Sequence, residues 1–417
     1  MYYIAQKPVE KSEVKEMKKV LFLFLITTLS FLSCDMMFMD KAETAYIEKK
    51  TTIEPFDHLN DPIVITMPVY KNNYFLGIEA DWTNRIDYIG DIFVVLDVEH
   101  EAVHDWIFFP GNHGYTNWRC VEVGQNPTIY CSVGSSSGLV GCLNPQKTTL
   151  DVYKANTVGG VADSLNDTLG NYIFIDGYAY NQEWEMPSIK ATLFNCTTGE
   201  ITGKIEFPCT SPGYFGHPIT DKEGNFWQTA LVKETLSLLK INVANNTIET
   251  ITTFPLISSE YEDQWDYYMV QKVTDDKIFL SRTPLGTESK NQAVVIVDKN
   301  NVNDVQTISM PNTKINTDFH IYKIIEVDGE FYTVSPDSDF SKKVMFAKID
   351  RENNELRPLD VVLENIDMTE TVYVRGTRVY LMSSRNISNI YYMYYDFATG
   401  EIGEKVYVSF NDVVKQK

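Results

Sequence analysis

Four polar residues in the second half of the chain have side chains that suit a divalent metal. Each lies just upstream of a turn that leads into a strand-like run, and the four are His217, Asp266, His320 and Glu370. Imidazole nitrogens and carboxylate oxygens bind divalent metals, and a metal held by them activates water or polarises a carbonyl. Polar residues at strand starts are also explained by solvation or by hydrogen bonds to the backbone. The four residues therefore carry the hypothesis of a metal site, and no catalytic residue is assigned.

A second group of residues suits ligand binding. The loop around Trp184 interrupts two strand-like runs with an aromatic residue, Glu183 stands beside it, and Trp265 precedes another run. Flat rings flanked by carboxylates suit the faces of sugars, although large aromatics also fill the space between packed sheets. We predict Trp184, Glu183 and Trp265 as ligand-binding residues.

Three cysteines follow one another at equal spacing. Cys120, Cys131 and Cys142 are 11 residues apart. If they lie on three neighbouring strands, Cys120 faces Cys131 and Cys131 faces Cys142, and one of these pairs forms a disulfide. Reduced cysteines in the core are the alternative, and a three-thiolate metal site would still need a fourth ligand.

The elements that must position these residues are short strands in a repeating unit. Strand-like runs end in an Asp or Asn followed by a polar turn, and these endings recur about every 50 residues. The seven endings are Asp97, Asn144, Asn195, Asn242, Asp298, Asp350 and Asp396. A short Asx side chain bonds to a backbone amide two residues on, which explains the residue type structurally.

Each unit also has an upstream turn that leads into an aromatic or β-branched strand, as at Asp328-Gly329. One unit shows four strands clearly, over residues 267–273, 277–282, 293–298 and 305–310. This pattern predicts an all-β chain, and its architecture resembles the β-propeller proteins, with seven four-stranded blades. Six or eight blades, or a pair of β-sandwiches, are the alternatives. The signatures of the WD40, kelch and sialidase propellers are missing.

The N-terminus has the pattern of an export signal. Lys18 and Lys19 precede an apolar run of 13 residues, which is shorter than the roughly 20 that span a bilayer, and the run closes at Cys34. This ending resembles the lipobox of bacterial lipoproteins, in the relaxed form found in spirochaetes. The resemblance implies lipidation of Cys34 and anchoring in a membrane. We expect a signal peptide over residues 1–33 (with Met17 as an alternative start), a tether over 34–55 and the propeller over 56–417.

Composition excludes several functions. The chain of 417 residues carries a formal net charge of −21, which repels phosphate backbones, so nucleic acid is not an expected partner. A mean hydropathy of −0.21 excludes a multi-span membrane protein. There is no Gly-x-Ser-x-Gly elbow, phosphate-binding glycine loop or His-Glu-x-x-His motif.

We therefore expect an exported lipoprotein on the periplasmic face or the cell surface. Its expected role is to bind a protein, a peptide or a glycan on one propeller face. The alternative is a hydrolase or lyase that uses a divalent metal in the central channel.

Overall fold

A computed structural model describes most of the strands of the chain and the tight turns between them. It describes residues 45–47, 51–60, 62–70, 88–110, 116–123, 126–133, 139–143, 148–154, 161–165, 172–178, 189–195, 200–207, 219–232, 235–255, 267–283, 292–309, 319–336, 343–364, 366, 372–383, 391–407 and 414–416. Within these residues, no helix is long and apolar enough to span a membrane.

The chain divides into two compact units. The larger unit comprises Lys49–Val69 and Tyr88–Phe410. Its strands form separate small sheets, which we name A to G in chain order. The sheets follow one another along the sequence without exchange of strands.

Sheets A and B lie in the first part of the larger unit. Sheet A contains β2 (Ile63–Tyr70), β3 (Tyr88–Asp97) and β4 (Ala102–Pro110). The letter B covers two separate two-stranded antiparallel sheets: β5 (Thr116–Val123) with β6 (Asn126–Val133), and β7 (Leu139–Leu143) with β8 (Leu150–Lys154).

Sheets C to G each have four antiparallel strands in chain order. Sheet C contains β9 (Val161–Leu165), β10 (Tyr172–Tyr178), β11 (Ile189–Asn195) and β12 (Glu200–Phe207). Sheet D contains β13 (Ile219–Thr220), β14 (Phe226–Val232), β15 (Thr235–Asn242) and β16 (Thr247–Phe254). Sheet E contains β17 (Tyr267–Val273), β18 (Lys277–Thr283), β19 (Ala293–Asp298) and β20 (Val305–Ser309). Sheet F contains β21 (Lys323–Val327), β22 (Glu330–Pro336), β23 (Lys343–Asp350) and β24 (Glu355–Glu364). Sheet G contains β25 (Val372–Arg375), β26 (Arg378–Ser383), β27 (Tyr391–Asp396) and β28 (Val406–Tyr407).

The structure confirms the predicted all-β class and the predicted repeat endings where they are described. Six strands end at a predicted Asx residue, namely at Asp97, Asn195, Asn242, Asp298, Asp350 and Asp396. Asn144 lies outside the described residues. The four strands of sheet E match the predicted ones within one residue. Five sheets have the four strands that a blade requires, and the number of seven blades stays a prediction.

The Asx residues at the strand ends cap the turns that follow them. Asp298 Oδ1 accepts hydrogen bonds from the backbone amides of Asn300 at 2.7 Å and Asn301 at 3.1 Å, and Lys277 pairs with its other oxygen. The hydrogen bond from Lys277 and those from the turn amides hold the pKa of Asp298 below its usual value. Asp350 accepts hydrogen bonds from the side-chain amide of Asn353 at 2.9 Å and from its backbone amide at 3.0 Å. These hydrogen bonds hold the pKa of Asp350 below its usual value as well.

Acid should weaken these turns. A carboxylate whose pKa is lowered by folding stabilises the folded state at neutral pH, and this contribution disappears as the pH falls below about 4. We expect the thermal midpoint of the wild type to drop between pH 5 and pH 3. The double variant Asp298→Asn, Asp350→Asn should be less stable at pH 7 and should lose less on acidification. Circular dichroism melts at several pH values measure the thermal midpoints of the wild type and of the double variant. If the midpoints of the two proteins fell by the same amount between pH 5 and pH 3, this account would be contradicted.

The hairpin between β21 and β22 shows why the turn sequence matters. Its two central residues, Asp328 and Gly329, have φ angles of 51° and 77°. Two residues with positive φ are the mark of a type I′ turn, whose twist matches that of antiparallel strands. The Asp-Gly pair therefore sets the register in which Val327 pairs with Glu330.

The core lies between successive sheets. Ile278 and Leu280 of β18 pack in a cluster with Trp227 of sheet D, whereas Phe279 packs in a cluster with Met345 of sheet F. Successive residues of a strand point to opposite faces, so each central strand fills the space on both sides of its sheet. This explains why β19 is almost continuously apolar and buried.

The structure describes two short stretches of the predicted tether, residues 45–47 and 51–55. Ile53 is buried at 2% exposure and packs with Phe56 in the cluster of sheet A, so this part of the segment belongs to the larger unit. The smaller unit comprises Met1–Glu48, Tyr70–Asp87 and Asn411–Lys417. In it, β1 (Ala45–Ile47) pairs antiparallel with β29 (Val414–Gln416).

Candidate functional site

The first strands of successive sheets lie side by side. The neighbouring pairs are β5 with β9, β9 with β13, β13 with β17, β17 with β21, and β21 with β25. The first strand of the last sheet also reaches the first sheet: Tyr373 Oη donates to Val64 O at 3.1 Å, and Arg375 Nη2 donates to Pro62 O at 3.3 Å. Sheets A and G, which lie at opposite ends of the larger unit's sequence, therefore touch through these first strands.

The first strands of sheets E, F and G carry a group of polar side chains that we call the first-strand patch. It consists of Lys272, Lys323, Glu326, Tyr373 and Arg375. Lys272 Nζ pairs with Glu326 Oε2 at 3.1 Å, from sheet E to sheet F. Lys323 Nζ donates to Val372 O at 3.4 Å, from sheet F to sheet G. These two contacts link sheet E to sheet F and sheet F to sheet G, whereas Tyr373 and Arg375 contact sheet A.

The patch is positive although the chain is acidic. Its three cationic groups and one carboxylate sum to +2, whereas the whole chain carries −21. Lys272 and Glu326 keep 36% and 37% of their side-chain surface exposed, so their charges are accessible to a ligand. The Arg375 guanidinium lies 6.0 Å from the centre of the Tyr373 ring, and this contact orients it. Such an arrangement can attract and orient anionic groups.

Gln292 positions the segment that enters sheet F. Its Nε2 donates to Phe319 O at 3.3 Å, and its Oε1 accepts from the backbone amide of Ile321 at 2.7 Å. The Gln292 residue is 3% exposed. The Gln292 side chain, just before β19 of sheet E, therefore fixes both backbone groups that flank His320, just before the strand that begins at Lys323.

Loss of this clamp should destabilise the fold measurably. In a Gln292→Leu variant, Phe319 O and the amide of Ile321 lose their partner in a buried place, which costs about 1–3 kcal/mol of unfolding free energy. Gln306→Leu is the matched control, because Gln306 also bonds to a backbone oxygen, that of Arg351, but in an exposed contact. Urea denaturation of both variants measures the difference, and equal losses would contradict the assigned role of Gln292.

The structure describes one of the four residues of the hypothetical metal site. His320 is half-buried, and its backbone amide donates to Pro336 O at 3.1 Å. His217, Asp266 and Glu370 lie outside the described residues. In the described part of the chain, no three His, Cys, Asp or Glu residues form a group that could hold a metal ion.

The other predicted site residues fall mostly outside the described part. This applies to Trp184, Glu183, Trp265 and the lipidation site Cys34. For the cysteines, the backbone register is described and corrects one expectation: Cys120 pairs with Ile129, and Cys131 pairs with Trp118. Direct opposition of Cys120 and Cys131 requires a four-residue turn over residues 124–127. Because β5 ends at Val123 and β6 begins at Asn126, the turn has two residues, and the register is displaced by two residues.

This register places Cys120 and Cys131 diagonally instead of opposite each other. Diagonal neighbours have Cα atoms about 7–8 Å apart, which exceeds the usual spacing for a disulfide. Cys142 pairs with Asp151 in the hairpin of β7 and β8. A bond between Cys131 and Cys142 stays a prediction.

Sequence reasoning missed the first-strand patch. Its signal was present, since the strand-like runs that open three successive repeats contain Lys272, Lys323 and Arg375 in a strongly acidic chain. The pattern was hidden because basic residues are also common on exposed strand surfaces. Only the contacts between first strands show that the cations come from adjacent sheets.

Comparison with known proteins shows similarity at the level of fold. No family model matches the chain, and no curated protein matches it. Among solved structures, the acylaminoacyl peptidase of Pyrococcus horikoshii is 9% identical with a TM-score of 0.51, and the match covers 89% of this chain and 54% of the peptidase. This chain thus spans about half the length of that peptidase.

Two further solved structures match this chain with lower TM-scores. The β-propeller domain of the Trilobed protease of Pyrococcus furiosus is 10% identical with a TM-score of 0.48, over 89% of this chain and 98% of that domain. An oligogalacturonate lyase of Vibrio parahaemolyticus is 11% identical with a TM-score of 0.43, over 83% of this chain and 86% of the lyase. Together with the four-stranded antiparallel sheets, the peptidase likeness supports a propeller-like fold for this chain.

Proposed function

We propose that this chain is an exported, lipid-anchored binding module with a seven-bladed propeller. It presents the first-strand patch to a protein, peptide or glycan that carries acidic groups. The observation that carries the proposal is the patch itself, in which three neighbouring sheets contribute cations to an otherwise acidic chain. Because negative charge elsewhere repels anions, a local positive surface determines where an acidic ligand docks.

The ion pair within the patch suits reversible binding. Lys272 and Glu326 are more than one-third exposed, so water screens their attraction and the pair adds little stability. An acidic group of a ligand can replace Glu326 as the partner of Lys272 at small cost. The Arg375 guanidinium, which donates to Pro62 O, adds a second positive charge that attracts acidic groups.

A matched pair of lysine variants tests this proposal. Lys272→Gln removes one cation from the patch, and Lys343→Gln removes one from a similar pair with Glu364 (3.4 Å apart, with Lys343 43% exposed) on the outer strands of sheet F. We expect Lys272→Gln to weaken binding of a glutamate-rich peptide or of polygalacturonate about tenfold, the equivalent of one charge-assisted contact. Lys343→Gln should leave the affinity unchanged.

Fluorescence anisotropy with a labelled ligand measures both affinities at fixed salt. Equal weakening by the two substitutions would mean that overall charge, and not the patch, governs binding. This result would contradict the proposal.

The membrane anchor is the second part of the proposal. The lipobox-like ending before Cys34 supports attachment of a lipid to its thiol. Labelling of cells with a fatty-acid analogue should tag the wild-type protein and leave the Cys34→Ala variant untagged. An unlabelled wild type would remove the lipoprotein assignment.

A metal-dependent hydrolase or lyase is the second candidate function. The starting positions of the first strands of sheets D to G support this candidate. These strands begin at residues 219 (β13), 267 (β17), 323 (β21) and 372 (β25). Thus His217, Asp266, His320 and Glu370 each precede the first strand of one of four successive sheets by one to three residues. In a propeller, equivalent positions of successive sheets surround one axis, where they can share a metal.

Elemental mass spectrometry of the purified protein tests this candidate. A stoichiometric metal that is lost in a His217→Ala, His320→Ala double variant would favour the enzyme and direct screening to lactones and esters. A wild type without bound metal after incubation with divalent cations would eliminate this channel mechanism.

A further inference from the structure

A small cavity opens between sheets E and F, away from the first strands. Its volume is about 250 Å³, and its lining residues are Lys277, Ile296, Asp298, Asp304, Gln306, Arg351 and Glu352. Cavities for drug-sized ligands span about 300–1,000 Å³. A ligand for this cavity is therefore no larger than a free amino acid or a molecule of that size.

Part of the lining is already neutralised. Lys277 pairs with Asp298, whose carboxylate also accepts hydrogen bonds from the amides of Asn300 and Asn301. These two charges are committed to each other and to the turn. Ile296, which is 3% exposed, supplies an apolar wall.

Arg351 offers an exposed cationic group at the cavity. Its backbone oxygen accepts a hydrogen bond from Gln306 Nε2 at 2.7 Å, and its guanidinium lies 5.9 Å from the centre of the Phe331 ring. Phe331 in turn stacks on Phe279 of sheet E, with ring centres 4.3 Å apart. Within the described residues, the guanidinium has no ion-pair partner, so its fork of donors is available to a carboxylate.

Two carboxylates complete the lining. Asp304 precedes β20 of sheet E, and its backbone is fixed by hydrogen bonds to Asn301 and Asp298. Glu352 lies in the turn of sheet F next to Arg351. In the part of the chain that the structure describes, neither carboxylate forms an ion pair. The uncommitted groups are thus one guanidinium and two carboxylates, which sum to −1.

We propose that this cavity binds a free basic amino acid such as lysine. The carboxylate of the ligand pairs with Arg351, and its two ammonium groups pair with Asp304 and Glu352. Lysine carries two positive charges and one negative charge at neutral pH, which complements the lining in both number and sign. A diamine lacks the group for Arg351, and an acidic amino acid would face two like charges. This site is independent of the first-strand patch.

Isothermal titration calorimetry of the full chain tests the proposal with L-lysine, cadaverine and L-glutamate at matched ionic strength. We expect saturable binding of one lysine, at least tenfold weaker binding of cadaverine and no binding of glutamate. Arg351→Gln should weaken lysine binding about tenfold, since only lysine carries a carboxylate for Arg351, and it should not weaken the binding of cadaverine. Glu352→Gln should weaken the binding of both lysine and cadaverine, since both ligands carry two ammonium groups.

Glu404→Gln is the control, because Glu404 is also an exposed carboxylate but does not line the cavity. All substituted side chains are exposed, so the variants should fold, and a thermal melt of each one verifies this. Equal affinity for lysine and cadaverine, an equal effect of Glu404→Gln and Glu352→Gln, or no saturable lysine binding at 10 mM would each overturn the proposal.

Discussion

Replacement of Phe279 by alanine is expected to lower the free energy of unfolding by about 3–5 kcal/mol, the typical cost of truncating a buried phenylalanine. Phe279 is fully buried between sheets E and F, in a cluster with Val294, Ile296 and Met345. Its ring also stacks on Phe331, so the substitution removes an aromatic contact as well as apolar area. The neighbouring strands are hydrogen-bonded into two different sheets, which limits how far they can collapse into the void.

Urea denaturation followed by tryptophan fluorescence measures this loss. Val305→Ala is the matched control, since Val305 lies in the same sheet but is 39% exposed, and it should change stability by less than about 0.5 kcal/mol. A loss below about 1 kcal/mol for Phe279→Ala would mean that sheets E and F do not share a core.

Replacement of Asp221 by alanine is expected to cost a similar amount, about 3–5 kcal/mol, because it leaves buried polar groups without a partner. The Asp221 side chain is 2% exposed. Its carboxylate accepts from Trp227 Nε1 at 2.8 Å and from the amides of Glu223 and Asn225, each at 3.0 Å. Lys299 of sheet E, itself only 12% exposed, lies 3.7 Å away.

Asp275→Ala is the control for this prediction. Asp275 occupies the corresponding turn of sheet E and pairs with Lys222 at 2.5 Å, but its side chain is 70% exposed. Exposed ion pairs contribute about 0–1 kcal/mol, so this variant should unfold almost like the wild type. If the two aspartates proved equally dispensable, the buried network between sheets D and E would be excluded.

The repeat could be predicted because its markers are local. A strand that ends in Asp298 or Asp350 needs a turn residue whose side chain binds nearby amides, and that requirement is visible in the sequence. The Asp-Gly turn at 328–329 is equally local, since both residues must adopt positive φ. These features suffice to place strands and to suggest a propeller.

The register of sheet B could not be predicted to the residue. A hairpin turn that is shorter than expected moves every cross-strand pair, and the sequence around Gly124 allows more than one turn length. The predicted opposition of Cys120 and Cys131 failed for this reason. A spacing of 11 residues places two cysteines near each other on adjacent strands, but it does not determine which residues lie directly opposite each other.

The candidate site escaped prediction because it is assembled from distant repeats. Lys272, Lys323 and Arg375 are separated by about 50 residues each, and only the packing of β17, β21 and β25 makes them neighbours. The same holds for Arg351 and Asp304, which face one cavity from two sheets. Residue type and spacing indicate such groups only after the order and adjacency of the sheets are known.

The most direct test of the account is a binding titration of the purified chain with acidic polymers and their uncharged analogues. The pairs are polyglutamate with polyglutamine and polygalacturonate with its methyl ester, each at low and at high salt. We expect saturable binding of at least one acidic polymer that weakens as salt rises, and no binding of its uncharged analogue. Equal binding of charged and uncharged polymers, or no binding of either acidic polymer, would contradict the claim that the first-strand patch recognises an acidic ligand.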